Sequence, residues 1–219
     1  MSDPIARILR CYPAGFFRQF LENADAGFGE ALTLASRHTE EPERANMLGQ
    51  LRHARCEAGF RQAARDNKLS VLAPHTIPAG GRYSLVEGGG VYLTRANIQR
   101  HCGPPRPTEF RKQWAAVNAW LEPTQYDMLR PPPPQPSDRL CGMLVITAHP
   151  RWGAPDIPAF VGLGIPNANL SDWVSLIAVT DLLALYHDAD AARRKPLEAP
   201  LEIKDRAVPR IKKRPTGQD

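Results

Sequence analysis

The stretch Arg82-Tyr83-Ser84-Leu85-Val86-Glu87-Gly88-Gly89-Gly90-Val91-Tyr92-Leu93-Thr94-Arg95 decides how the chain is read. Two strand-like runs, Arg82 to Glu87 and Val91 to Arg95, flank three consecutive glycines. Glycine takes positive φ without a Cβ clash, which the central residues of a tight hairpin turn require, so the stretch predicts a β-hairpin. The rival reading, a phosphate-cradling glycine loop, lacks both the Walker spacing and a following Lys-Ser/Thr.

Downstream, Gly103-Pro104-Pro105-Arg106-Pro107 reads as a rigid connector and Thr108 as the N-cap of a helix over 108–121. Its apolar stripe is Phe110, Trp114, Val117 and Leu121. Core packing is the ordinary use of such a stripe, and an aromatic ligand box the sharper one. A proline-rich linker covers 131–136. The runs Leu140 to Ala148 and Ala159 to Ile165 are apolar without alternation, which predicts strands covered on both faces. Ser171 and Asp172 are expected to open a helix running to about His187, so Trp114 and Trp173 should both be buried on helices packed over the sheet.

Upstream the chain reads as helical. Ile5, Ile8 and Leu9 are separated from Phe16, Phe17, Phe20 and Leu21 by a break at Pro13 and Gly15, and a short Ala/Leu-rich segment spans Glu30 to Ser36. The longest helix is expected from Pro42 to about Asn67, with Pro42 in its first turn and a narrow apolar stripe of Met47, Leu51, Ala54 and Ala58. Arg44, Arg52, Arg55, Arg61 and Arg65 would form its solvated face. The fold class is therefore α+β: a helical N-terminal region (1–68), a core with a small mixed or antiparallel sheet covered by helices (69–190), and an extended, proline-broken basic tail (191–219).

Charge is distributed unevenly. Of 28 Lys+Arg and 23 Asp+Glu, residues 1–190 hold 19 of each, so the whole net charge of +5 comes from residues 191–219. A neutral body with a basic tail points to an anionic partner, nucleic acid or an acidic protein surface, contacted by Arg193, Arg194, Lys195, Arg210, Lys212, Lys213 and Arg214. A solvated, solubilising terminus is the plain alternative. Cys11, Cys56, Cys102 and Cys141 lack close pairing, and residues 1–20 interrupt their apolar positions with Arg7, Arg10, Pro13 and Arg18. A reducing cytoplasm is expected, with no export signal and no membrane span.

Motifs for chemistry are sparse. His53-x-x-Cys56 and the adjacent His101-Cys102 do not make the paired spacing of structural zinc, so neither a metal nor a cofactor is expected. Gly162-Leu163-Gly164 lacks the third glycine of a dinucleotide loop. His149, after an apolar strand, is a candidate general base whose ordinary role would be a hydrogen bond to a loop. The Glu202-Ile203-Lys204 spacing places carboxylate and amine on one strand face, and Asp181 or Asp188 would complete the acidic set of a metal-dependent nuclease. The leading expectation is a non-enzymatic cytoplasmic interaction protein, the alternative a nuclease or other hydrolase using Asp181, Glu202 and Lys204, or His149.

Overall fold

The computed structural model describes residues 3–75, 82–99, 103–122, 138–150 and 154–193, with side chains to residue 189. The chain begins with three helices, α1 (Pro4–Cys11), α2 (Ala14–His38) and α3 (Arg44–Asp66). Next come β1 (Ser70–Leu72), β2 (Leu85–Gly88), β3 (Val91–Asn97), α4 (Glu109–Ala115) and a 3₁₀ helix (Ala116–Leu121). The chain continues through β4 (Leu140–Ala148), β5 (Pro158–Pro166), β6 (Trp173–Ala178) and α5 (Val179–Arg193). This is an α+β arrangement, as the sequence predicts.

The six strands form one sheet in chain order. Neighbours are antiparallel except β3 and β4, which run parallel. The predicted hairpin is β2–β3: Gly88 pairs with Val91, and Gly89 and Gly90 turn the chain at φ of 57° and 76°. Both turn positions are left-handed, which accounts for the glycines. A Cβ on Gly90 would also stand 2.6 Å from the Asp138 carbonyl oxygen.

A parallel pair needs a crossover. Here α4 and the 3₁₀ helix lie on that crossover, and the buried Asn118 fastens it to the sheet. Its side-chain amide donates to the carbonyls of Cys141 and Pro166, each at 2.8 Å, and its Oδ1 accepts from the Cys141 N–H at 2.8 Å. Strand β4 is buried on both faces, as its unbroken apolar run predicts.

One sheet face, with Leu93, Leu144 and Leu163, joins Tyr12, Phe16, Phe17, Phe20 and Phe60 in an aromatic-rich core that also takes in Leu182 of α5. Tyr12 donates its hydroxyl toward the carbonyls of Val86 and Val91, and burial raises its pKa. The other face, with Ala96, Cys141, Met143 and Val145, packs with Ala115, Trp114, Phe160 and Trp173. Gly162 and Gly164 lie beneath aromatic rings here: a Cβ at either would collide with Phe160 or Trp173 respectively. The glycine pair therefore serves aromatic cover rather than a dinucleotide loop.

Several expectations are corrected. The segment 173–178 is a strand rather than the start of a helix, because it supplies β5 with its second partner and brings the Trp173 ring over Gly164. The helix begins only at Val179, and Ser171 instead closes the loop before β6, accepting from Asn167 Nδ2 at 2.9 Å. Trp114 and Trp173 are half-buried, and only Trp114 is on a helix. The Glu30–Ser36 segment is part of α2, which at 25 residues exceeds the 23 of α3. Pro42 precedes α3 in a turn, not in its first helical turn.

The expected apolar stripe of α3 is also turned away from the core. Met47, Ala54 and Ala58 are exposed, while Cys56, Glu57, Phe60, Ala63 and Ala64 are buried. One phenylalanine with small residues on either side buries more surface than the alanine-rich stripe, and it fixes the helix rotation. That rotation carries Glu57 inward.

Candidate functional site

Helix α3 presents Glu57 one turn before Phe60, and β3 presents Arg95 two residues after Leu93 on the same sheet face. The two charges meet under cover. Arg95 Nε donates to Glu57 Oε1 at 2.9 Å, with the Arg95 side chain 0% and the Glu57 side chain 10% exposed. Removing these groups from water is costly unless each polar atom finds a partner.

Arg95 is fully engaged. Nη1 donates to Asn97 Oδ1 at 2.6 Å, and Nη2 donates to His53 Nδ1 at 2.6 Å and to the His53 carbonyl at 3.4 Å. Nδ1 must carry no proton to accept, so the neutral imidazole with its proton on Nε2 is the compatible form. Burial of the inner ring edge, with the Arg95 charge, lowers the His53 pKa below 6.5 although the residue keeps an exposed side. The second Glu57 oxygen, Oε2, accepts from Ser84 Oγ at 2.6 Å, and that hydroxyl accepts from Arg61 Nη1 at 2.9 Å.

Beside this network opens a cavity of about 420 Å³, bounded by α3, by residues near the start of β2 and by the beginning of α4. Arg82, Arg95 and Arg111 line it, together with His53, His75, Tyr83 and Phe110. Its carboxylates, Glu57 and Glu109, are already paired, Glu109 with Lys112 Nζ at 2.9 Å. Arg111 donates from Nη1 to the Arg106 carbonyl at 2.9 Å, but its Nε is buried without an acceptor. Burial, and next the nearby Arg95 guanidinium, lower the Arg111 pKa, as befits a cation held among cations. Arg82 Nη2 lies 2.9 Å from His75 Nε2.

Tyr83 and Phe110 form one wall. Their rings are stacked, with planes inclined by 27°, and both residues are half-buried. Phe110, expected in the core stripe, thus faces the cavity, while Ala115, Asn118 and Leu121 are the fully buried positions of that segment. Chemically, the pocket combines excess fixed positive charge with a flat apolar surface.

The residues named from sequence are not brought together here. Asp181 and Asp188 are exposed on α5, and His149 is half-buried just after β4 and does not line the cavity. Glu202, Lys204, Arg194, Lys195, Arg210, Lys212, Lys213 and Arg214 lie outside the described residues, as do His101, Cys102 and the linker at 131–136; the backbone of Arg193 ends α5. Among the described residues no group of three or more His, Cys, Asp or Glu is placed to hold a metal ion, and no helix is long and apolar enough to cross a membrane. His53 and Cys56 do not form the ligand pair considered from sequence: His53 binds Arg95, and Cys56 is a buried free thiol whose pKa is raised by burial.

Sequence reasoning passes over Glu57, Arg95, Arg111, Tyr83 and Phe110 as site residues. A signal for the first two is present: Glu57 falls in phase with Phe60 and Ala64, and Arg95 with Val91 and Leu93, so each puts a charge on a face that otherwise buries carbon. Comparison of the chain with protein-family models, with curated proteins and with solved structures gave no match.

Proposed function

We propose that this protein is a non-enzymatic, cytoplasmic binding protein for anionic partners, with the arginine-lined cavity as its principal site. The observation that carries this reading is the charge balance: Arg82 and Arg111 line one cavity without a carboxylate partner among the described residues, because Glu57 there is paired with Arg95 and Glu109 with Lys112. Uncompensated positive charge in a partly desolvated site is relieved by a bound anion, and guanidinium suits the planar, bidentate recognition of phosphate or carboxylate. The basic stretch 191–219 supports the same reading from sequence, with nine basic residues against four acidic ones. It would extend contact to nucleic acid or an acidic protein surface. The free thiols of Cys11, Cys56 and Cys141 are compatible with a reducing compartment.

Thermal unfolding of the full chain in phosphate, at ionic strength matched with sodium chloride, tests the reading. Phosphate at about 100 times its Kd should add about 2.7 kcal/mol of stability. Arg111→Ala should remove most of that increment. If phosphate gives no more stability than matched chloride, the cavity is not an anion site. Deleting 191–219 should reduce the slope of log K against log salt for duplex DNA by about 0.9 for each phosphate that the tail neutralises in the full chain.

A further inference from the structure

The aromatic wall of the cavity narrows the chemistry of the anion. We propose that the cavity takes a nucleotide unit, its phosphate against Arg82 and Arg111 and its base continuing the Tyr83–Phe110 stack; this rests on the anion-binding reading above.

Three observations support it. Tyr83 and Phe110 are stacked face to face, yet both remain partly exposed at the cavity wall instead of entering either apolar cluster. A third flat ring extends such a stack without new directional bonds, because every base has a π face. Next, Arg82 and Arg111 line the same cavity as these rings, with Arg111 directly after Phe110 in the chain. Finally, at about 420 Å³ the cavity falls within the range of small-molecule sites, well above the needs of a bare phosphate ion. A simple anion site would not need the aromatic wall, and a purely apolar ligand would leave the buried Arg111 Nε without an acceptor.

The roles divide accordingly. Arg111 and Arg82 would contact phosphate; Arg95, held by Glu57, Asn97 and His53, is a positioning residue that sets the local potential without offering a free donor. A nucleotide reaches the site either as a free monophosphate or as the phosphorylated end of a single strand.

Titration calorimetry on the full chain separates these possibilities with six probes: inorganic phosphate, ribose 5-phosphate, adenosine, AMP, and a short single-stranded oligonucleotide with and without a 5′-phosphate. AMP should bind at least about fivefold tighter than ribose 5-phosphate, the smaller end of what one base stack contributes. Phe110→Leu should bring AMP down to the level of ribose 5-phosphate, and Arg82→Ala combined with Arg111→Ala should bring it down to that of adenosine. Preference for the 5′-phosphorylated strand over AMP would assign the strand end as the source, the reverse preference the free nucleotide. Equal affinity for phosphate, ribose 5-phosphate and AMP would overturn the nucleotide proposal and leave the anion site standing. No binding of any phosphate compound would overturn both. The wild-type probe series decides the matter even if a variant fails to fold.

Discussion

Strand β3 enters two different environments within three residues. Leu93 belongs to the aromatic core with Phe60 of α3, whereas Arg95, on the same sheet face, is bound to Glu57, one helical turn before Phe60. The first environment is non-directional and accepts many shapes of similar volume. The second has fixed geometry: three guanidinium nitrogens and both oxygens of a carboxylate each have a partner at 2.6 to 2.9 Å. A buried ion pair contributes little net stability compared with a well-packed apolar pair of the same volume. The polar end, which borders the cavity, is therefore assigned to the site, and the apolar end to the fold.

The largest expected effects test that division. Phe60→Ala should cost about 3–5 kcal/mol, through reduced burial and the cavity left behind. Glu57→Ala should cost a similar amount, about 3–5 kcal/mol, by stranding the Arg95 charge. The double variant Glu57→Leu with Arg95→Met should recover most of that stability while weakening anion binding. Urea unfolding measures all three. A double variant as unstable as Glu57→Ala would break the comparison, since the network would then hold the fold itself.

The fold is largely legible in the sequence because its signals are local. Three glycines between strand-like runs specify the β2–β3 turn, and two unbroken apolar runs specify β4 and β5. Segment 173–178 reads as helix in the sequence because Leu176, Ile177 and Ala178 lead directly into the apolar start of α5, so periodicity does not separate strand from helix at that junction. The site is much less legible. Its residues come from positions 53 to 111, and what joins them is the rotation of α3 set by Phe60 and the crossover that packs α4 against the sheet. Neither is a spacing along the chain. The arginines of α3 illustrate the point: Arg55 and Arg65 are exposed as expected, Arg55 pairing with Glu30 at 3.2 Å, but Arg61 bonds Ser84 and Arg52 lies over the Phe28 ring at 4.6 Å.

A smaller effect is expected at Arg111. Its side chain sits among cations, so Arg111→Gln should change stability in dilute buffer by no more than about 0.5 kcal/mol, while cutting the added stability from phosphate. Thermal melts with and without phosphate measure both. A large destabilisation in the absence of phosphate would place Arg111 with the fold rather than the site.

The smallest effect concerns pH. The folded-state pKa of His53 lies below its ordinary 6.5, first through burial and then through Arg95, so the unfolded chain takes up a proton at His53 before the folded chain does. This contribution to stability is complete above pH 6.5 and is lost as pH falls from there through the depressed folded value. His53→Gln should flatten that part of the stability profile. An unchanged slope would show that the folded state does not hold His53 neutral.

The most direct test of the central claim is a crystal structure of the full chain grown with selenate, whose anomalous scattering locates the anion. Selenate is expected in the cavity, within hydrogen-bonding distance of the Arg82 and Arg111 guanidinium groups, with Arg95 still bound to Glu57. Selenate bound only elsewhere, with water filling the cavity between Arg82 and Arg111, would contradict that claim.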